Sequence, residues 1–307
     1  MADYINDLHE LIGNTPMLKL HHIEGIREGV NIFAKLEYWN PTGSVKDRTG
    51  KYMVEAAEKN GTLKPGGTII EGTAGNTGLG IAFAAMNKGY HVIFVVPTKF
   101  SEEKQTLMRA LGATIINTPR EKGMLGAVAK ANELHASIPD SVMMGQFTNP
   151  ANPQAHYETT GREIYDQLDG QIDYFVAGAG SGGTYTGIMK YLKEKNPNIR
   201  GVLADPVGST IGGGTHGDYN IEGIGNDFVP ETMDLKLVDQ VIKVNDDEAW
   251  ANSRELCSHE GVIVGSSSGA ALAAARKLAA ETDHGNIVTL FPDRGDRYFS
   301  SHLYAES

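Results

Sequence analysis

Short runs rich in Val, Ile and Phe alternate along this chain with longer stretches of helical spacing. Thr68-Ile69-Ile70 leads into a predicted helix from about Asn76 to Lys88. His91 to Val96 leads into one from about Ser101 to Leu111, and Ala113 to Asn117 into one that reaches Ala136. Asp173 to Ala177 precedes a helix from about Gly182. Asn31 to Ala34 reads as a strand ending near Glu37, and Gly201 to Ala204, Val238 to Val244 and Asn286 to Phe291 are further strand candidates. Strand–helix alternation of this kind is the mark of an α/β fold, with mostly parallel sheets flanked by helices. Ligands of such folds bind in the loops that leave the carboxyl ends of strands.

Bulk properties narrow the picture. The chain has 307 residues, which suggests about two domains. Thr148-Asn149-Pro150-Ala151-Asn152-Pro153 is the best place for a domain crossing, and Pro206 to Pro230, rich in glycine and poor in periodicity, reads as a long functional loop. A net charge of −11 argues against a nucleic-acid partner and against a polybasic membrane contact. An anionic ligand must then be held by local groups such as backbone N–H. Cys257 is the single cysteine, so no intrachain disulfide forms, in keeping with a reducing compartment. The start lacks a basic and apolar leader and no apolar run reaches membrane-spanning length, so a cytoplasmic location is expected. The ten histidines show no metal-binding spacing, and no metal is expected.

Lys35 to Arg48, KLEYWNPTGSVKDR, carries the first candidate chemistry. After the strand, Asn40-Pro41-Thr42-Gly43 forms a turn and Ser44 caps a helix with Lys46 in its first turn. The helix dipole disfavours a cation there. A lysine that readily gives up its proton suits the position better, and such a lysine can form a Schiff base with an aldehyde. The plain alternative is a solvated lysine at a helix start.

Three glycine- or serine-rich loops open helices, the first two after strands. Glu71 to Gly78, EGTAGNTG, offers turned backbone N–H groups with Thr73, Asn76 and Thr77, an anion cradle or a simple strand–helix turn. Gly178 to Thr184, GAGSGGT, matches G-x-G-x-x-G, with Asp205 at the end of the next strand, so it fits a dinucleotide site. The other reading is a cup for one phosphate, formed by Gly180, Ser181, Gly182, Gly183 and Thr184, and a tight loop with no ligand is a third. In Val264 to Ala270, VGSSSGA, the serines either cap the helix that follows or aim a hydroxyl at a ring nitrogen. Gln146 ends a short apolar run, Asp227 is either a base or a surface residue, and His216 reads as exposed.

Taken together and in order, NPTGSVKDR, EGTAGNTG, GSGGT, EGIG, GSSSGA and FPDRGDRY resemble the cysteine synthase and cystathionine β-synthase family, over nearly the whole chain from Leu11 to Tyr298. The resemblance implies the two-domain, tryptophan synthase β-like fold of type II pyridoxal-phosphate enzymes. It implies pyridoxal 5'-phosphate bound to Lys46 as an aldimine, with Asn76 at the phenolic oxygen, Gly180 to Thr184 at the phosphate and Ser267 at the pyridine nitrogen. Thr73, Ala74, Asn76, Thr77 and Gln146 would bind the substrate carboxylate, with Gly223 near the substrate. The implied reaction is β-replacement through an aminoacrylate, joining small amino-acid and thiol substrates: O-acetylserine or serine with sulfide or homocysteine. A cysteine lyase releasing hydrogen sulfide is the near alternative, with Asp227 as activator of the nucleophile, and a nicotinamide-dependent dehydrogenase is the remote one.

The segments around Asp205, Glu222 and Lys243 look more like the cystathionine synthases, whose haem-binding extension and regulatory domains are not seen here. Gly72 stands where that family usually has proline and Ala74 where it usually has serine, and Ala74 resembles the bacterial members that use O-acetylserine. A homodimer is implied. So is a smaller mobile domain over 42–149 that carries the carboxylate loop, facing a larger domain of 1–41 and 150–307 across a cofactor cleft.

Overall fold

The computed structural model describes residues 4–73, 75–98, 100–301 and 303–304. Its strands, in chain order, are β1 Met17–Lys19, β2 Val30–Leu36, β3 Thr68–Gly72, β4 His91–Pro97, β5 Thr114–Thr118, β6 Ser141–Met143, β7 Tyr174–Ala177, β8 Arg200–Pro206, β9 Gln240–Val244 and β10 Gly285–Phe291. They form two sheets, and the chain divides into two compact units.

The smaller unit comprises Met1–Ile12 and Asn40–Asn152. Its sheet has the order β5-β4-β3-β6, parallel throughout. β3 is buried along its whole length, which is why it reads as an apolar run without alternation. The helices Lys46–Lys59, Asn76–Ala85, Glu102–Ala110 and Gly123–Ser137 belong to it. The core is built on Met53, Ile69, Leu79, Ile81, Phe94 and Met108.

The larger unit comprises Gly13–Trp39 and Pro153–Ser307. Its sheet has the order β1-β2-β10-β7-β8-β9, with only the edge pair β1–β2 antiparallel. Helices Gly161–Gln167, Gly183–Lys195, Asp246–Glu260 and Ser266–Glu281 accompany it. The alanine-rich helix Ser266–Glu281 is buried over most of its length beside Val176, Val202 and Ile287. Small side chains let its backbone come close: a Cβ on Gly269 would sit 1.9 Å from the Ala249 carbonyl of the helix Asp246–Glu260.

Residues up to Ile12 group with the smaller unit rather than with the 1–41 segment of the expected division. His9 explains this, because its ring stacks on Phe83 and its Nε2 lies 2.7 Å from the Phe83 carbonyl oxygen. At the other crossing the chain changes unit after Asn152, inside the Pro/Asn-rich segment. Pro206 to Pro230 holds no helix or strand beyond the last residue of β8. Among the described residues, no helix is long and apolar enough to cross a membrane.

Candidate active site

In the smaller unit the turn before Lys46 closes with Gly43, at φ +81°, donating its N–H to the Asn40 carbonyl at 2.7 Å. The helix begins at Lys46 with Val45, not Ser44, at the cap position and no capping side chain; the buried Ser44 hydroxyl instead accepts the Lys46 N–H at 3.0 Å. Thr42 donates its N–H (2.6 Å) and its hydroxyl to the buried Asp47 carboxylate. Lys46 itself is half-buried. Its backbone is fixed by a close approach of two helices: a Cβ on Gly80 would lie 2.1 Å from the Lys46 carbonyl oxygen, and one on Gly50 would lie 2.2 Å from the Gly80 carbonyl carbon. Asn76, one turn before Gly80, shares that helix face.

The loop after β3 turns on Thr73, whose hydroxyl accepts the N–H groups of Gly75 and Gly78, each at 3.3 Å. Ala74 lies outside the described residues. The Thr77 hydroxyl donates to Gln146 Oε1 at 2.7 Å, and both residues are buried. A Cβ on Gly72 would come within 3.1 Å of Val128 N in the helix Gly123–Ser137, so a larger residue there must push that helix aside. Thr73, Asn76, Thr77 and Gln146 are therefore gathered in one unit with Lys46.

In the larger unit the loop after β7 opens the helix Gly183–Lys195, whose first-turn N–H groups lack intrahelical acceptors. Gly182 has φ +83°, and a Cβ on it would strike Met233 at 2.5 Å. A Cβ on Gly180 would meet the Gly223 carbonyl oxygen at 2.4 Å. The Asn226 side chain donates to the Gly180 carbonyl at 2.7 Å, and the Thr232 hydroxyl donates to the Ser181 carbonyl. Thr184 Oγ1 lies 3.2 Å from Nε2 of the buried His156, whose Nδ1 lies 2.9 Å from Thr160 Oγ1. His156 is a residue the sequence reading passed over. It sits in a π-helical turn, a feature often found at functional sites.

Ser266, Ser267 and Ser268 lie inside the first turn of their helix, with Gly265 at the cap position and no capping side chain. The capping alternative for the serines is thereby removed. Ser266 Oγ accepts the Glu222 N–H at 3.0 Å, and a Cβ on Gly223 would come within 4.0 Å of Ser267 Oγ. The glycine cup, Gly223 and Ser267 thus form one cluster. Asp227 stands exposed just beyond it. Tyr219, pushed up to about 12 by burial first and then by the carboxylates of Asp205, Asp227 and Asp246, lies on the same loop.

Asp205 speaks against the dinucleotide reading. It is buried, and one carboxylate oxygen receives Lys243 Nζ at 2.5 Å and the Gly212 N–H at 3.0 Å, so it is not presented to a ribose. A left-handed glycine, a glycine pressed on a carbonyl, two hydroxyls and a helix N-terminus suit a single phosphate instead.

A family model described as "Pyridoxal-phosphate dependent enzyme" matches residues 8–293. The chain belongs to the family of pyridoxal-phosphate dependent enzymes. It is 50% identical over 301 residues to an O-acetylserine dependent cystathionine beta-synthase of Bacillus subtilis, covering 98% of each chain. The crystal structure of an O-acetylserine dependent cystathionine beta-synthase from Helicobacter pylori matches with a TM-score of 0.94 and 45% identity, over 99% of this chain and 100% of that one. A hydrogen sulfide-producing enzyme from Fusobacterium nucleatum matches with a TM-score of 0.93 and 39% identity, over 96% of this chain and 100% of that one. The architecture is that of the type II pyridoxal-phosphate enzymes, and pyridoxal phosphate is the cofactor. Its aldehyde calls for a primary amine and its phosphate for an N–H-rich cup, and both are present.

Proposed function

We propose that the chain catalyses β-replacement, making cysteine or cystathionine from O-acetylserine or serine with sulfide or homocysteine. The observation that carries this reading is the pairing of Thr77 with Gln146 beside Thr73 on the unit that bears Lys46. On this reading the carboxylate-binding groups and the base share one scaffold. The likeness to O-acetylserine dependent relatives supports O-acetylserine as the preferred donor.

Bound pyridoxal phosphate supplies an aldehyde for the substrate amine and a ring that draws electrons from Cα. Gly180, Ser181, Gly182, Gly183 and Thr184 would hold its phosphate, Asn76 would bond its phenolic oxygen and Ser267 would meet its ring nitrogen. Thr73, Ala74, Asn76, Thr77 and Gln146 would fix the substrate carboxylate, with Gly223 near the substrate. Lys46 Nζ removes the Cα proton, and acetate or hydroxide departs from Cβ with the bonding pair. The thiol sulfur then bonds to Cβ and gives its proton to Asp227, while Lys46 returns the first proton to Cα. A neutral serine at the ring nitrogen draws less charge than a carboxylate-paired nitrogen would, which favours prompt loss of the Cβ substituent. The reading includes a cytoplasmic homodimer.

The Fusobacterium likeness favours a second reading, a cysteine lyase releasing hydrogen sulfide. Steady-state rates with O-acetylserine, serine and cysteine, each with sulfide, homocysteine or no thiol, separate the two. O-acetylserine with a thiol is expected to be the fastest combination. Cysteine consumed fastest with no added thiol would replace β-replacement by the lyase. Asp227→Asn is expected to slow the thiol step a few-fold and to leave amino-acid binding unchanged; an intact thiol step would remove Asp227 from the scheme.

A further inference from the structure

Glu71 is the last but one residue of β3, only 2% exposed, and no step above uses it. The Met144 N–H still bonds to the Ile70 carbonyl at 3.2 Å, continuing the β3–β6 pairing. Beyond it the chain turns away at Gly145, with φ +65°. That turn aims two successive N–H groups at one carboxylate: Gly145 donates to Glu71 Oε2 at 2.7 Å and Gln146 to Glu71 Oε1 at 3.2 Å. The Gln146 carbonyl accepts from the Asn152 side chain at 2.8 Å, so its backbone is held on both sides. Its side chain then reaches Thr77.

We propose that Glu71 is a positioning residue that holds Gln146, and through it Thr77, for the α-carboxylate of the incoming amino acid. The proposal rests on the function proposed above, which gives Gln146 and Thr77 that ligand. A carboxylate offers one acceptor oxygen to each N–H, which a glutamine cannot do, because its amide NH2 would face one of the donors. Burying a carboxylate is costly, and two backbone N–H groups alone could be satisfied by neutral groups. Burial pushes Glu71 up to about 7, while the bonds from Gly145 and Gln146 pull it down.

The test uses the cofactor-loaded protein and L-methionine, which has the α-amino and α-carboxyl groups but no leaving group at Cβ. Binding is followed by calorimetry and by the change in cofactor absorbance. Glu71→Gln is expected to weaken methionine about tenfold, to leave methionine methyl ester within about twofold, and to leave the cofactor spectrum unchanged. In a Gln146→Ala background Glu71→Gln is expected to add no further loss, since neighbours acting through one another are not additive. Glu71→Asp, one methylene shorter, gives a second variant with the charge kept and is expected to fall between the two. Unchanged methionine affinity in Glu71→Gln, or losses that multiply in the double variant, would overturn the role of Glu71 alone. A wild-type protein that binds methionine and its ester equally would instead overturn carboxylate recognition by Gln146 and Thr77.

Discussion

The two glycine loops look alike in sequence and are built differently. Both leave a buried parallel strand and open a helix. The loop after β7 is fixed by close packing of its glycines, Gly180 against the Gly223 carbonyl and Gly182 against Met233, and by side-chain bonds from Asn226 and Thr232 to its carbonyls. The loop after β3 is organised by side chains: Thr73 gathers two N–H groups, and Thr77 reaches Gln146. Glycines packed this closely leave little room to adjust, which suits the phosphate that the proposed reading assigns to that loop. Hydroxyl and amide side chains can exchange partners, which suits a carboxylate that arrives and leaves at each turnover. On the proposed reading, one glycine-rich pattern serves a permanent and a transient anion according to what locks it.

The contrast can be broken at several points. Lys46→Ala bypasses both loops and is expected to lower turnover by about a thousandfold or more, within the range for losing a general base or covalent anchor. Borohydride trapping with peptide mapping should then find no pyridoxyl label on the segment that holds position 46. Gly180→Ala puts a methyl where a carbonyl stands and is expected to weaken cofactor retention by about a hundredfold, measured by dialysis and absorbance, an overpacking cost of a few kcal/mol. If cofactor binding survives intact, the rigid-cup description fails.

The next effect is on stability. With Glu71 near 7 in the folded chain against 4.5 in the unfolded one, the folded state holds the extra proton between those values. Stability should therefore fall as pH rises through that window, by on the order of 2 kcal/mol. Chemical denaturation of wild type against Glu71→Gln from pH 5 to 8 measures it, and parallel curves would remove the buried-carboxylate argument. Thr77→Val, which loses the hydroxyl that meets Gln146, is expected to raise KM for the amino acid about tenfold without loosening the cofactor. The smallest effect is assigned to Ser267→Asp, expected to slow β-replacement several-fold by making the ring a stronger electron sink. Unchanged turnover in that variant would remove the argument from the neutral serine.

Much of this was legible in the chain. The β-branched runs and the glycines that follow them marked the main parallel strands and the loops after β3 and β7, because buried parallel strands and tight anion loops demand those residue types; the serine loop instead follows the helix Asp246–Glu260. Less visible was the helix Asp246–Glu260, a polar segment stabilised by a reciprocal cap between Asn245 and Glu248 rather than by an apolar stripe. The region 151–167 carries Pro153 and a π-helical turn, which blur any helical period. Glu71 and His156 gave no signal in their own segments. What makes them informative is burial beside Gln146 and Thr184, partners 75 and 28 positions away, and no local spacing encodes that.

The side-chain-free contact between Gly50, Gly80 and the Lys46 carbonyl has a mechanical consequence. Two helices that meet peptide on peptide behave as a single plate. On the proposed reading, one carries the base at its head and the other follows the loop that binds the substrate carboxylate. If Lys46 is the base, a displacement of that loop would move the Lys46 backbone with it, and the amine would keep its place relative to the bound amino acid.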